Sequence, residues 1–275
     1  PQPRSEESGG TGIILLDGHF VLLASVFTVN LLAMFTRCYP VPNHSFFLFG
    51  PRGTGKTTWL RQVLPDALWF DLLRTQTLLA LTRQPESFRQ QVEARPRGTW
   101  VVVDEVQRLP ALLNEVHALI AETGRKYRFA LSGSSSRKLK RLDVNLLAGR
   151  ALTCHMHPLT AVELSRHFDL KRALRYGCLP LACTSENPQA YLKSYTATYL
   201  REEVQQEGFA RNIGAFSRFL EAASFSQGSV LNMAAVARDC AVSAKVVEDY
   251  FTILEDLLIA VRVPIFTKHA KRRLI

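Results

Sequence analysis

FFLFGPRGTGKTTWL, Phe46 to Leu60, is the stretch from which the rest of this chain can be read. It fits the pattern G-x-x-x-x-G-K-[ST], with Gly50, Gly55, Lys56 and Thr57 at the fixed positions. The apolar run Ser45 to Phe49 predicts a buried strand, and Thr57 to Val63 predicts a helix, which together give the strand, loop and helix context the pattern requires. Polyphosphate must be surrounded by backbone N–H groups, and that demands a loop without obstructing side chains at a helix N-terminus. Gly50, Gly53 and Gly55 supply the freedom; Pro51, Arg52 and Thr54 complete the loop and Thr58 follows it. Lys56 can place a point charge on the β and γ phosphates, and the Thr57 hydroxyl can hold Mg²⁺ beside them.

Thr99 to Val103, TWVVV, is β-branched with no polar interruption from Trp100 onward and predicts a buried parallel strand. It ends in Asp104 and Glu105, at the edge where open α/β sheets place their ligands. An acidic pair there suits Mg²⁺-assisted hydrolysis, with Asp104 binding the metal and Glu105 polarising the attacking water. A lone carboxylate at such a place is as often a helix cap; roughly fifty residues beyond a phosphate loop, the functional reading gains weight. RFALS, Arg128 to Ser132, predicts a further strand that runs into SGSSS. Ser132 and Ser134 could touch the γ-phosphate or the water, or merely cap the next helix. Arg137, Lys138, Lys140 and Arg141 follow on a basic segment, and Arg150 precedes a fifth strand, Ala151 to His155; a solvated basic face is the default reading of these cations.

Between these strands the pattern places helices at Leu72 to Leu81, after Pro85, and over Leu112 to Ile120. His155 and His157 would share a strand face, with Glu163 and His167 as further candidate ligands, although packing before Pro158 is the plainer reading. The chain has 275 residues with 47% hydrophobic content, enough for a real core, so an unfolded polymer is excluded. A net charge of +10 points to an anionic partner without choosing among nucleotide, nucleic acid and membrane surface. Five scattered cysteines without a C-x-x-C pair indicate neither a disulfide framework nor a zinc site, and fit a reducing cytoplasm.

Residues 1 to 11 are polar and glycine-bearing, and Phe20 to Phe35 is strongly apolar. Three readings stand for this start: an upstream extension before a true start at Met34, a membrane or targeting segment, or a docked helix. A run of sixteen residues is short for a span and the flank is acidic, which favours the extension. From Tyr191 the composition turns helical, with Tyr191, Tyr195 and Tyr199 recurring every fourth residue as packing positions rather than a stacking platform. Leu231 to Val263 predicts two helices around Ala241-Val242-Ser243, with Ser243 as N-cap of the second, followed by a strand.

GPRGTGKTTWLR, DEVQRLP, SGSSSRKLKR, LAGRALTCHMHPLTAVEL and GCLP together resemble the AAA-type (ASCE-class) P-loop ATPases of bacteria and archaea, in the group described only as ATP-binding proteins. The resemblance covers about Met34 to Lys271. It implies an α/β fold: a three-layer P-loop core with a parallel sheet in the order 5-1-4-3-2, then a helical region and a winged-helix module. It makes Asp104 and Glu105 the Walker B pair and puts the SGSSS serines in the polar sensor region. Gly177-Cys178-Leu179-Pro180 resembles a Gly-Gly-x-Pro motif lying near the nucleotide, which adds Pro180 to the contacts, although Cys178 replaces the second glycine. Family members usually continue into a nuclease-like C-terminal domain, so the resemblance implies that a chain ending at KHAKRRLI is a fragment or a truncated product.

The expected organisation is therefore an extension over 1–33, the ATPase core over 34–185, a helical region over 186–228 and a winged-helix-like module over 229–275. The expected chemistry is binding of ATP with Mg²⁺ and its hydrolysis, with Lys56 and Glu105 as catalytic residues. The rivals are a nucleotide-dependent binding switch and a DNA-binding regulator. DNA is not favoured, because Glu248, Asp249, Glu255 and Asp256 on the second helix oppose a phosphate backbone. Expected partners are ATP and a second copy of the chain or a regulatory protein; a membrane enters only if residues 20–35 insert.

Overall fold

The computed structural model describes residues 35–134, 139, 149–200 and 213–264. The apolar run at 20–34, the cations at 137, 138, 140 and 141, and the terminal basic segment lie outside the described residues.

Strand β1, Phe46–Phe49, is buried at all four positions, as a parallel strand covered on both faces must be. Its neighbours are β4, Arg128–Gly133, on one side and β5, Leu152–His155, on the other. With β2, Leu68–Asp71, and β3, Trp100–Asp104, the parallel sheet runs β2-β3-β4-β1-β5, the expected order read from the other edge. Ser45 ties the foot of β1 to both neighbours: its hydroxyl accepts from Phe129 N at 3.0 Å and its carbonyl from Leu152 N at 2.9 Å.

Successive strand residues point to opposite faces, and the core divides accordingly. Phe47, Phe49, Val101, Val103, Phe129 and Leu131 face one layer with α2 (Thr75–Arg83), α3 (Glu86–Glu93) and α4 (Leu112–Glu122). Phe46, Leu48, Val102 and Ala130 face the other, which contains Trp59 and Leu60 of α1, Lys56–Val63. This is the three-layer arrangement the sequence predicts. Helix α2 starts later than expected, at Thr75 instead of Leu72, because Leu72 N is held by the carbonyl of Asp104 at 3.2 Å and Leu73 N by Asp71 Oδ1 at 3.0 Å. The sheet edge and an Asx turn at Asp71 hold residues 72 and 73 in a non-helical path before the helix begins.

Beyond β5 come the short helices α5 (Ala161–Leu164), α6 (Leu170–Tyr176) and α7 (Pro180–Thr184), and then α8, Pro188–Ser194. Helix α8 continues as a π-helical turn, Tyr195–Leu200. Helices α9 (Ile213–Ser224), α10 (Met233–Cys240) and α11 (Ala244–Asp256) share a separate apolar cluster around Phe216, Phe219, Tyr250 and Phe251. Helix α10 ends at Ala241 in the left-handed region, and the Ser243 hydroxyl caps α11 by accepting from Val246 N.

The helix pair is as expected, but the strand predicted after α11 does not form among the described residues, and a winged helix is not established. The backbone donors there are already used. Ile259 N and Ala260 N both donate to Leu254 O, at 2.9 and 3.2 Å, and Arg262 N donates to the Glu255 carboxylate at 3.2 Å. A segment folded back on its own helix end has no ladder left to offer.

Candidate nucleotide-binding site

The loop between β1 and α1 is shaped by backbone requirements. Gly53 and Gly55 have φ of 80° and 89°, the region that favours glycine, and Gly55 is the N-cap of α1. Gly50 is required for a different reason: a Cβ there would lie 2.2 Å from the carbonyl oxygen of Met156, just beyond β5. Thr54, fully buried, closes the turn by donating its hydroxyl to Pro51 O at 2.8 Å. Lys56 is also buried, and its ammonium donates to Gly50 O at 2.6 Å and to Pro51 O at 3.1 Å. A buried cation thus sits over the loop with its ammonium on two of the loop's carbonyls.

Strands β1 and β3 are not neighbours; β4 lies between them. Their C-terminal ends nevertheless meet, because Thr57 on the first turn of α1 donates its hydroxyl to Asp104 Oδ2 at 2.7 Å. Ser132, at the end of the intervening strand, hydrogen-bonds the other Asp104 oxygen and also accepts from Glu105 N at 3.3 Å. Asp104 is 1% exposed and Ser132 fully buried, so the carboxylate is fixed at both oxygens. A hydroxyl and a carboxylate side by side are hard oxygen donors of the kind Mg²⁺ takes, so the residues present fit that ion.

Glu105 occupies the left-handed region, with φ 59° and ψ 48°, an uncommon setting for a residue with a Cβ. Burial pushes its carboxyl above the ordinary range, against the pull of the Lys56 charge and the Gln107 amide; Asp104 adds to the rise and Arg52 opposes it. The 3₁₀ turn Val106–Arg108 folds Gln107 back so that its amide nitrogen donates to Glu105 Oε2 and to Ser134 Oγ, the latter at 3.1 Å. Gln107 Oε1 is buried without a hydrogen-bond partner, against Gly133, where a Cβ would lie 2.6 Å away.

Gln107 lies within DEVQRLP, and nothing in a lone glutamine marks it as part of a site. The structure brings Lys56, Thr57, Asp104, Glu105, Ser132 and Ser134 together. Thr58 follows on α1. Pro180 is brought to the loop by none of these bonds and opens α7 as a buried N-terminal proline. Arg150 lies against the His117 ring. Two side chains read as packing positions reach the loop instead: Tyr195 donates its hydroxyl to Arg52 O at 3.0 Å, and the Tyr191 hydroxyl lies 3.3 Å from where a Cβ on Gly53 would stand. The side chain of Tyr199 lies outside the described residues. Glu163 is engaged elsewhere, paired with Arg37 at 3.3 Å and accepting from Cys38 N at 2.9 Å. Among the described residues no group of three His, Cys, Asp or Glu side chains is placed to hold a metal.

A family model described as an AAA domain matches residues 42–165, and one described as a domain of unknown function matches residues 167–275. Uncharacterized protein Rv2008c of Mycobacterium tuberculosis and Uncharacterized protein Mb2031c of Mycobacterium bovis are each 26% identical over 231 residues, covering 82% of this chain and 51% of theirs. The chain therefore spans about half the length of these curated relatives. Among solved structures, AMPPCP-bound DnaA of Aquifex aeolicus aligns at 13% identity over 77% of this chain and 81% of its own, with a TM-score of 0.39. A point variant of RuvB of Thermotoga maritima aligns at 15% identity over 80% and 82%, with a TM-score of 0.38. The Aeropyrum pernix ORC1 protein, solved in complex with DNA, aligns at 14% identity over 80% and 79%, with a TM-score of 0.35. Overlap this loose transfers nothing about their ligands. Residues 42–165 are thus similar to an AAA domain, and the phosphate-loop sequence and the parallel sheet order within them are those of an α/β P-loop fold.

Proposed function

We propose that this chain binds ATP at the Gly50–Thr57 loop together with Mg²⁺ and hydrolyses it. The observation that carries the proposal is the 2.7 Å bond between Thr57 Oγ1 and Asp104 Oδ2, formed across an intervening strand beside a glutamate. Thr57 and Asp104 would hold Mg²⁺, which when bound supplies charge neutralisation on the phosphate oxygens. The loop N–H groups and the Lys56 ammonium bind the phosphates, with Lys56 exchanging the carbonyls of Gly50 and Pro51 for stronger anionic acceptors. Ser132 keeps Asp104 oriented. Glu105 accepts a proton at its carboxylate from the attacking water, a task for which a carboxyl raised by burial is better matched than an exposed one.

A nucleotide-dependent switch without turnover has less support, because a pure switch has no use for a strained glutamate beside the metal pair. DNA binding through α10 and α11 is not favoured: Glu248 and Asp249 are exposed on α11 next to Lys245. The deciding experiment is phosphate release from ATP by the full chain, with and without Mg²⁺, alongside Glu105→Gln. Hydrolysis that needs Mg²⁺ and is lost in the variant supports the proposal, whereas equal single-turnover rates in variant and wild type would remove Glu105 from it.

A further inference from the structure

Helix α8 and the π turn that continues it bring two tyrosines onto the phosphate loop from about 140 residues further along the chain. The contact is with a carbonyl: Tyr195 Oη donates to Arg52 O at 3.0 Å. In a trans peptide the C=O and the following N–H point to opposite sides, and no cis bond is present among the described residues. A hydroxyl that holds the Arg52 carbonyl on one side therefore aims Gly53 N–H to the other. Gly53 has no side chain and sits at φ 80°, a conformation that residues with a Cβ rarely adopt. The Tyr191 hydroxyl stands 3.3 Å from the missing Cβ of that glycine, and the two tyrosine rings lie 6.1 Å apart, so the loop's apex is backed by both. The widening from α to π geometry begins at Tyr195 itself, and π turns inside helices are frequent at functional sites.

We infer that Tyr195, supported by Tyr191, is a positioning residue for the phosphates: it holds the 52–53 peptide in the orientation that presents Gly53 N–H to the bound anion. The inference rests on the nucleotide reading above and adds a consequence to it. If the tyrosine contact favours the binding conformer of the loop, nucleotide must favour the docked helix by the same factor. The segment 191–200 then reports whether the loop is occupied.

The test uses the full chain with a fluorescent ATP analogue and Mg²⁺, comparing wild type, Tyr195→Phe and, as a control for the nucleotide reading, Lys56→Ala. Losing one hydrogen bond should weaken affinity in Tyr195→Phe by roughly 2- to 10-fold, with the rate at saturating ATP within about 2-fold of wild type. Amide hydrogen exchange over 191–200 should slow on adding the analogue to wild type and stay unchanged in Tyr195→Phe. A merely structural role for the tyrosine would not produce that loss of coupling. Wild-type affinity in Tyr195→Phe while Lys56→Ala fails to bind overturns this inference alone. Absence of binding by wild type overturns the nucleotide reading and this inference with it. Should Tyr195→Phe not fold, the wild-type exchange measurement still decides, because nucleotide without effect on 191–200 sinks the coupling.

Discussion

Lys56 donates to the carbonyl of Gly50 at 2.6 Å, so the loop's lysine closes on the loop's first glycine. The sequence pattern gives this lysine only a phosphate to hold, yet it is 5% exposed and part of the loop's internal structure. Lys56→Ala should therefore do two things: remove measurable ATP-analogue binding, and cost about 1.5–3 kcal/mol of stability, as expected for hydrogen bonds from a charged group. Titration and a denaturant melt check both. Wild-type affinity would remove the site assignment.

Glu105→Gln should keep ATP and lose hydrolysis, because an amide preserves shape without accepting the water's proton. The wild-type pH–rate profile should have its acid limb above 4.5, the ordinary value for this carboxyl, since burial raises the folded-state pKa and the base fraction builds only at higher pH. The same shift has a sign for stability. Ionising a buried acid with a raised pKa is a cost that grows as pH rises through that pKa, so Glu105→Gln should melt no lower than wild type at pH 7. A variant that melts much lower would mean the ionised carboxylate is a net stabilising partner. Asp104→Asn should instead weaken Mg²⁺ dependence and affinity together, read by titration at several Mg²⁺ concentrations.

Gly50→Ala adds one methyl group that would lie 2.2 Å from a backbone carbonyl oxygen, which cannot move without shifting the chain beyond β5. Overpacking of this kind costs about 1–3 kcal/mol. The expected result is a lowered melting temperature together with lost nucleotide binding; a silent substitution would mean the loop and the 156 region are further apart in solution.

A variant beginning at Met34 should fold and bind the ATP analogue as the full chain does. Phe35, the first described residue, is buried with Leu159 and Leu164. Were residues 1–33 part of the core, losing several buried apolar side chains at about 1.5–3 kcal/mol each would exhaust a stability of about 5–15 kcal/mol. Thermal melts of the two chains distinguish these outcomes.

The site was legible in sequence where its chemistry is written locally. Gly50 to Thr57 and the end of β3 are continuous patterns in which backbone freedom, hydrophobic period and charge agree. Gln107 was not legible, because its position depends on the left-handed turn at Glu105 that folds DEVQ back toward β4. Tyr191 and Tyr195 carried the right spacing for a helix face but no sign that the face meets a loop so far upstream. The strand expected after α11 fails for a comparable reason: its β-branched residues suit a ladder, yet the Leu254 carbonyl and the Glu255 carboxylate capture the donors first.

Glu105 sets the fold's comfort against the chain's work. A left-handed residue with a Cβ pays of order 1 kcal/mol that glycine at the same place would not. Random mutagenesis screened only for heat resistance should therefore recover Glu105→Gly, and those survivors should be the ones that no longer turn over ATP. Optimising the scaffold and preserving its activity would pull this one position in opposite directions.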